Sequence, residues 1–327
     1  MQMGRKASWA ACAGWLVCAA VCGAQSPNAA PGGGASGASP AAAGGGFANG
    51  TLVTGTGPAE VVPPVKGFNF SLSSSSEHSS LTGWSTVWTP SVSYRFNQHF
   101  SLNATVPWYL SVKNFVSTTV KGVTTYPLKS ASNLLGDTTT SGQAQVSFGD
   151  FAYKLTATGA FPTGDSTYGL SANEPTYNFT NHLEYSIGPF SPDVEAGIGD
   201  SSSLAGKTVK KSYTAIGTLA NFQAGSNVDL PFKLGLDLEA YENLPVGNQN
   251  VYGTVTSKNK KGVTVTKQVL EGKGVAEDNG FMAELDIPLG RNLVLAGNYQ
   301  RSLRQGIDTA GIALTWVLRA PKKPAAH

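Results

Sequence analysis

Cysteine is confined to the first 22 of 327 residues, where Cys12, Cys18 and Cys22 are the only ones in the chain. Whatever follows has neither a disulfide framework nor a thiol nucleophile. Charge is scarce too, at 13% of residues with a formal net charge of +3, and Lys and Arg are scattered along the chain. That excludes the basic face a nucleic-acid partner requires. There is no HExxH pair, no paired cysteine and no cluster of histidines, so neither a metal nor any other cofactor is expected. No glycine run is followed by Lys-Ser or Lys-Thr at phosphate-loop spacing. Helical periodicity is nearly absent, and past the N-terminus no apolar run reaches the roughly 20 residues that a membrane-crossing helix needs.

What is present begins with Arg5 and Lys6 ahead of "ASWAACAGWLVCAAVCGA", a run ending in small residues that allow cleavage after Ala24. Residues 1–24 therefore read as a secretory signal peptide. As an uncleaved anchor the run is short and Ala-rich, and Val21 is a poor residue ahead of a lipidated Cys22. Between 25 and 66 only Glu60 and Lys66 are charged, and Gly, Ala, Pro and Ser dominate. Such a segment cannot bury enough apolar surface to offset its ordering entropy, so it reads as a flexible, disordered linker.

Beyond the linker the pattern changes to alternation. In "FKLGLDLE" Phe232, Leu234, Leu236 and Leu238 alternate with Lys233, Gly235, Asp237 and Glu239. The same period of two runs through Phe100 to Leu110, Phe179 to Ile187, Phe281 to Leu289 and Ile312 to Leu318. These are strands. Many span ten residues or more, whereas globular strands average about 5–6 and a tilted membrane-spanning strand needs about 9–11.

Connections sort by length. Short links around 97–98, 191–192, 227–228 and 291–292 alternate with long polar ones near 113–142, 162–174, 202–210 and 244–278. Short turns on one side and long loops on the other describe an antiparallel transmembrane β-barrel of the bacterial outer membrane. Strands at 67–76, 83–96, 99–112, somewhere between 115 and 147, 149–161, 175–189, 193–203, 211–226, 229–243, 279–289, 292–303 and 308–319 make twelve, with ten and fourteen the neighbouring even counts. An even count puts both termini in the periplasm, leaves the barrel at 67–319 and makes 320–327 a tail. Two long loops alternate on their own account, 116–126 and 252–269, and are expected to form hairpins. Trp84, Trp88, Tyr94, Phe96, Trp108, Tyr109, Tyr241 and Trp316 are candidates for interfacial girdles.

Two stretches carry a family resemblance: "FGDFAYKL" (148–155) and "GAFPTGDSTYG" (159–169). The pattern resembles outer-membrane barrels grouped under the MetA-pathway of phenol degradation, although the segment from Gly149 to Pro162 is short for two barrel strands. The resemblance implies a passive uptake channel for small, often hydrophobic or aromatic, molecules, with Pro162, Thr163, Gly164 and Asp165 forming a loop motif. "TAGIALTWVL" (309–318) resembles the last-strand signal of outer-membrane proteins, which implies contact with the assembly machinery, although "RAPKKPAAH" follows it. Other expected partners are outer-membrane lipid, lipopolysaccharide and a small solute.

Alternation also assigns the inner wall. Arg95, Lys154, His182, Glu184, Glu195, Lys233, Asp237, Glu239, Glu284 and Asp286 would face a wet lumen, with acids in excess. One reading is a transverse field with a cation preference; the other is a salt-bridged wall filling a narrow barrel. His182, Glu184 and Ser186 hold the residue types of a hydrolase, but neighbours two apart on a strand lie about 6–7 Å apart, too far for a direct relay. No catalytic residue is expected. Asp165 and Asp200 sit among Gly and Ser, a setting for Asx-type turns or for calcium. Besides a channel, an adhesion or structural barrel fits the same strands and loops.

Overall fold

The computed structural model describes residues 66–116, 118–120, 123–125, 127–171, 175–200, 218–246, 252–258, 264–270, 278–290, 292–304 and 306–319. The expected signal peptide, the linker up to residue 65, the tail and the loop at 202–210 lie outside the described residues.

Alternating side chains give long extended segments. β1 (Gly67–Ser79) and β2 (Gly83–Arg95) are followed by a strand in two pieces, β3 (Phe100–Thr105) and β4 (Trp108–Phe115). β5 (Thr118–Val120) and β6 (Val123–Thr125) form a separate hairpin. The next wall strand is assembled from β7 (Leu128–Ala131), β8 (Leu134–Leu135) and β9 (Thr138–Phe148). β10 (Phe151–Phe161), β11 (Thr176–Tyr185), β12 (Phe190–Asp200), β13 (Thr218–Leu230) and β14 (Leu234–Val246) continue the wall. β15 (Tyr252–Lys258) and β16 (Thr264–Leu270) form a second separate hairpin, and β17 (Asp278–Pro288), β18 (Leu293–Ser302) and β19 (Ile307–Arg319) complete the sheet. Both hairpins fall in the segments whose alternation predicts them.

Each wall strand pairs antiparallel with its chain neighbours, and β1 pairs with β19 from Asn69–Arg319 to Ser79–Thr309. The result is a closed, twelve-stranded barrel. Closure gives every strand a partner on both sides, so backbone groups are satisfied without an edge. Among the described residues no helix is long and apolar enough to cross a membrane.

The outer face is apolar. Phe68, Phe70 and Leu72 on β1, Tyr153 and Leu155 on β10, and Ile312, Leu314, Trp316 and Leu318 on β19 are all exposed. Aromatic rings gather near both rims: Trp84 meets the His78 ring edge-on at 5.2 Å near one, and Phe151 meets Tyr185 at 4.4 Å near the other, while Trp88 and Trp108, 6.0 Å apart, lie between them. Ten residues separate Trp84 from Tyr94 on β2. At about 3.3 Å per residue and a tilt near 40°, that spans roughly 25 Å, the height of a membrane-facing apolar band.

Three local expectations are corrected. β14 begins at Leu234, not at 229, because Pro231 to Leu234 form a tight turn, closed by the Leu234 N–H on Pro231 O, with Phe232 and Lys233 at φ +65° and +63°. Pro231 has no N–H to donate to a ladder, so the chain turns there and β13 runs straight through the expected turn at 227–228. The turn expected at 191–192 lies at Gly188-Pro189, where Ile187 and Phe190 exchange backbone hydrogen bonds of 2.6 and 3.1 Å. Gly188, at φ +61°, supplies the conformation that a two-residue hairpin loop requires. Tyr109 and Tyr241 are not girdle residues, since both are buried, at 3% and 8% exposure.

β3 and β4 are separated at Val106-Pro107. Pro107 is fully buried, its carbonyl accepts from the Gly136 N–H at 2.8 Å, and Val106 N–H donates to Pro90 at 3.2 Å. The missing proline donor interrupts the ladder, and the piecewise strand opposite wraps around the break.

Candidate functional site

The inward face is hydrophilic, and its two halves differ. On β19, β1, β2, β3 and β9 it carries hydroxyls and amides bonded to one another. Thr315 Oγ1 donates to Ser73 at 3.1 Å, Ser71 and Ser91 are 2.5 Å apart, Ser101 donates to Gln143 at 3.4 Å, and Thr105 bonds Thr139. This half is bonded largely within itself, and it also carries one buried carboxylate, Glu77 on β1.

From β10 to β17 the wall is charged. Lys154 on β10 is the register partner of His182 on β11, and His182 in turn faces Glu195 on β12. The imidazole lies 3.7 Å from Glu195, 3.8 Å from Asp193 and 3.9 Å from Glu184. Lys154 is within electrostatic reach of Glu184, Asp193, Glu195 and Glu239. Further round, carboxylates meet carboxylates: Glu184 stands opposite Asp193, and Asp237 opposite Glu284, with Asp286 two residues further along β17. Like charges in direct register are unfavourable in a sheet. The wall is therefore compensated at its β10–β11 side and acid-rich at its β14–β17 side.

Eight of the ten candidate wall residues thus share the inner face of strands: Lys154, His182, Glu184, Glu195, Asp237, Glu239, Glu284 and Asp286. Lys233 does not; it sits exposed in the turn before β14. Arg95 ends β2 and folds over the adjacent turn, where its guanidinium donates to the carbonyls of Asn97 at 3.0 Å and Gln98 at 3.2 Å. Ser186 lies outside β11, and its hydroxyl accepts from Ser191 at 3.3 Å, away from the strand that carries His182 and Glu184.

Pro162 to Asp165 leave the end of β10 and dock the following loop across the mouth. Asp165 N–H donates to Leu135 O at 3.0 Å, Gly164 N–H to Asp137 Oδ1 at 3.0 Å and Asp137 N–H to Leu170 O at 3.1 Å. Thr163 Oγ1 accepts from Thr138 N–H at 2.8 Å, and Asp165 Oδ1 accepts from Tyr168 N–H at 3.1 Å, which is Asx-type turn geometry. The docked loop places Leu170 against Val87, Tyr109 and Val112, with Tyr168 packed beside them. Val87 alternates with outward Trp84 and Trp88, so this small apolar cluster is inside the barrel. Gly164 is required by space: a Cβ there would come within 2.5 Å of Leu170 O and 2.6 Å of the Gly136 carbonyl carbon.

Sequence reasoning missed several inward residues. Asn227 falls in a stretch read as a turn and Asp193 begins an expected strand without being assigned to the wall, yet both lie within strands, at 3% and 5% exposure. Gly225 has a role that only register reveals. It is the partner of Glu239, and a Cβ there would lie 2.7 Å from Glu239 Cγ, so its absence lets the glutamate lie flat on the wall. Tyr241 covers Gly280 in the same way and donates to Asp278 at 3.1 Å, which also accepts from Ser302 at 2.5 Å.

A closed antiparallel cylinder, apolar outside and hydrophilic inside, is a barrel of the outer-membrane type. Its fold is similar to that of an outer membrane channel from Pseudomonas putida F1, at 12% identity and TM-score 0.51, over 79% of this chain and 97% of that one. The KdgM porin aligns at 9% identity and TM-score 0.45 over 76% of this chain and 99% of its own. The toluene transporter TbuX of Ralstonia pickettii aligns at 10% and 0.39, over 80% and 92%. At such identities the likeness is one of fold. No protein-family model and no curated protein matches the chain.

Proposed function

We infer that the protein is a passive channel of the bacterial outer membrane for small molecules, with both termini on the periplasmic side. The observation that carries this reading is the inversion of polarity across the wall. Large apolar residues are exposed on the outside of every barrel strand from β9 to β12, while the inside holds Ser, Thr, Asn, Gln and the charged groups described above. A soluble barrel would reverse those faces. The short turns at 149–150 and 186–189 lie at the same end as Gly67 and Arg319, the end that outer-membrane barrels turn to the periplasm.

The resemblance at 148–155 and 159–169 supports hydrophobic or aromatic solutes; the carboxylates and amides of the inner wall favour polar ones. A catalytic role gains nothing from Ser186, which His182 would need beside it. The separate hairpins β5–β6 and β15–β16 favour a second reading, an adhesion barrel whose loops are the functional part. Planar-bilayer recording of the refolded chain, beside heat-modifiable gel migration, decides between them. Discrete conductance steps are expected, and a folded barrel without steps would move the assignment to adhesion.

A further inference from the structure

The buried side-chain atoms left without a hydrogen-bond partner among the described residues are Asn178 Oδ1, Asp193 Oδ1, Asn221 Oδ1, Asn227 Oδ1, Asp237 Oδ1, Glu239 Oε2 and Asn298 Oδ1. All are acceptor oxygens. Five of them, those of Asp193, Asn221, Asn227, Asp237 and Glu239, belong to three consecutive strands, β12, β13 and β14. Buried polar groups are ordinarily paired, so a wall of orphaned acceptors is poised for donors that come from elsewhere. Glu239 is the sharpest case: it is 8% exposed, laid on the wall by Gly225, and within electrostatic reach of four carboxylates, Asp193, Glu195, Asp237 and Glu284, against the single cation Lys154.

We propose that the inner face of β12, β13, β14 and β17 is a binding station for a small organic cation with several N–H donors, an ammonium or guanidinium compound, on its way through the lumen. The inference rests on the channel reading. Charge selects a cation, and the lone pairs select its kind. An ammonium group carries three donors and a guanidinium five, none of them an acceptor, which complements unpartnered wall atoms that are all acceptors. A compact metal ion is the poorer match, because among the described residues no group of three or more His, Cys, Asp or Glu converges to hold one. Lys154 already performs the same service for Glu195, Glu184 and Asp193 and reaches Glu239 least of the four, which leaves Asp237, Glu284 and Asp286 on the β14–β17 side for the solute. The bonded hydroxyl half opposite carries one carboxylate on β1, Glu77, against the cluster of Asp193, Glu195, Asp237, Glu239, Glu284 and Asp286, so the field across the lumen draws the cation to the acid-rich side.

The test uses the refolded chain in a planar bilayer under a KCl gradient, with methylguanidinium and tetramethylammonium as probes. The expected reversal potential is cation-selective. Methylguanidinium should block the current at concentrations where tetramethylammonium, a cation without N–H donors, does not. Asp237→Asn and Glu239→Gln, each verified as folded by heat-modifiable migration, should each weaken that block about tenfold, the loss of one charge-assisted hydrogen bond. An open pore that is anion-selective or unselective, equal block by both probes, or unchanged block in both variants would overturn the station while leaving the channel standing. A folded barrel with no conductance would overturn the channel reading and the station with it.

Discussion

Asp237 on β14 and Glu284 on β17 are register partners, two carboxylates facing each other across one pair of strands. Opposed like charges cost a sheet about 0.2–1 kcal/mol, so Asp237→Asn is expected to stabilise the barrel by up to about 1 kcal/mol. Urea unfolding in detergent micelles reads this directly; a lower midpoint for the variant would show that the pair is held by a compensating partner.

The outer face predicts a different cost. Leu314 lies mid-way along β19 and is exposed between Ile312 and Trp316. If that face meets lipid, Leu314→Arg loses about 2–4 kcal/mol of folding stability in a bilayer. Folding yield into lipid vesicles is the measurement, and a variant that folds as readily as its parent would refute membrane contact at this position.

Gly164→Ala should release the mouth loop. The new methyl would collide with backbone on both sides of the docked segment, at Leu170 and Gly136, and neither can swing away as a side chain could. Larger single-channel conductance and faster proteolysis within 162–171 are expected, with the barrel itself intact. Unaltered conductance would mean that the loop does not narrow the lumen.

Tyr241→Phe removes one of two hydroxyls that donate to buried Asp278, the other being that of Ser302. A buried carboxylate short of a donor costs about 1–3 kcal/mol. The loss should appear in the same urea titration, while Tyr153→Phe, whose exposed hydroxyl donates to Asn181, should change little.

Much of this was legible one strand at a time. Glu284 and Asp286 could be assigned inward because Phe281, Leu285 and Ile287 fill the alternate positions, and a strand of period two has only two faces. The same logic failed at Phe232, where a lone aromatic continues the alternation across a turn set by Pro231. It failed again at Ser191 and Pro192, which look like a turn but lie within β12, leaving Asp193 off the expected wall. What could not be read is whatever depends on register between strands: that Gly225 stands beside Glu239, that Asp237 meets Glu284, or that Leu170 returns from β10 to touch Val87. Those pairings are set by where each turn falls, and a shift of one residue in a turn re-pairs everything beyond it.

The seam between β1 and β19 joins residues as distant as Ser73 and Thr315, 242 positions apart. Its eleven register pairs make a cylinder without a rim strand, but only once the last strand has arrived. Until then the curled sheet has two free borders, one at β1 and one at whichever strand was added most recently, and each is a template for strand addition by a stranger. The finished molecule is thus immune to a fate to which its own half-built form is the most exposed. That exposure falls entirely within the interval between laying down β1 and delivering β19.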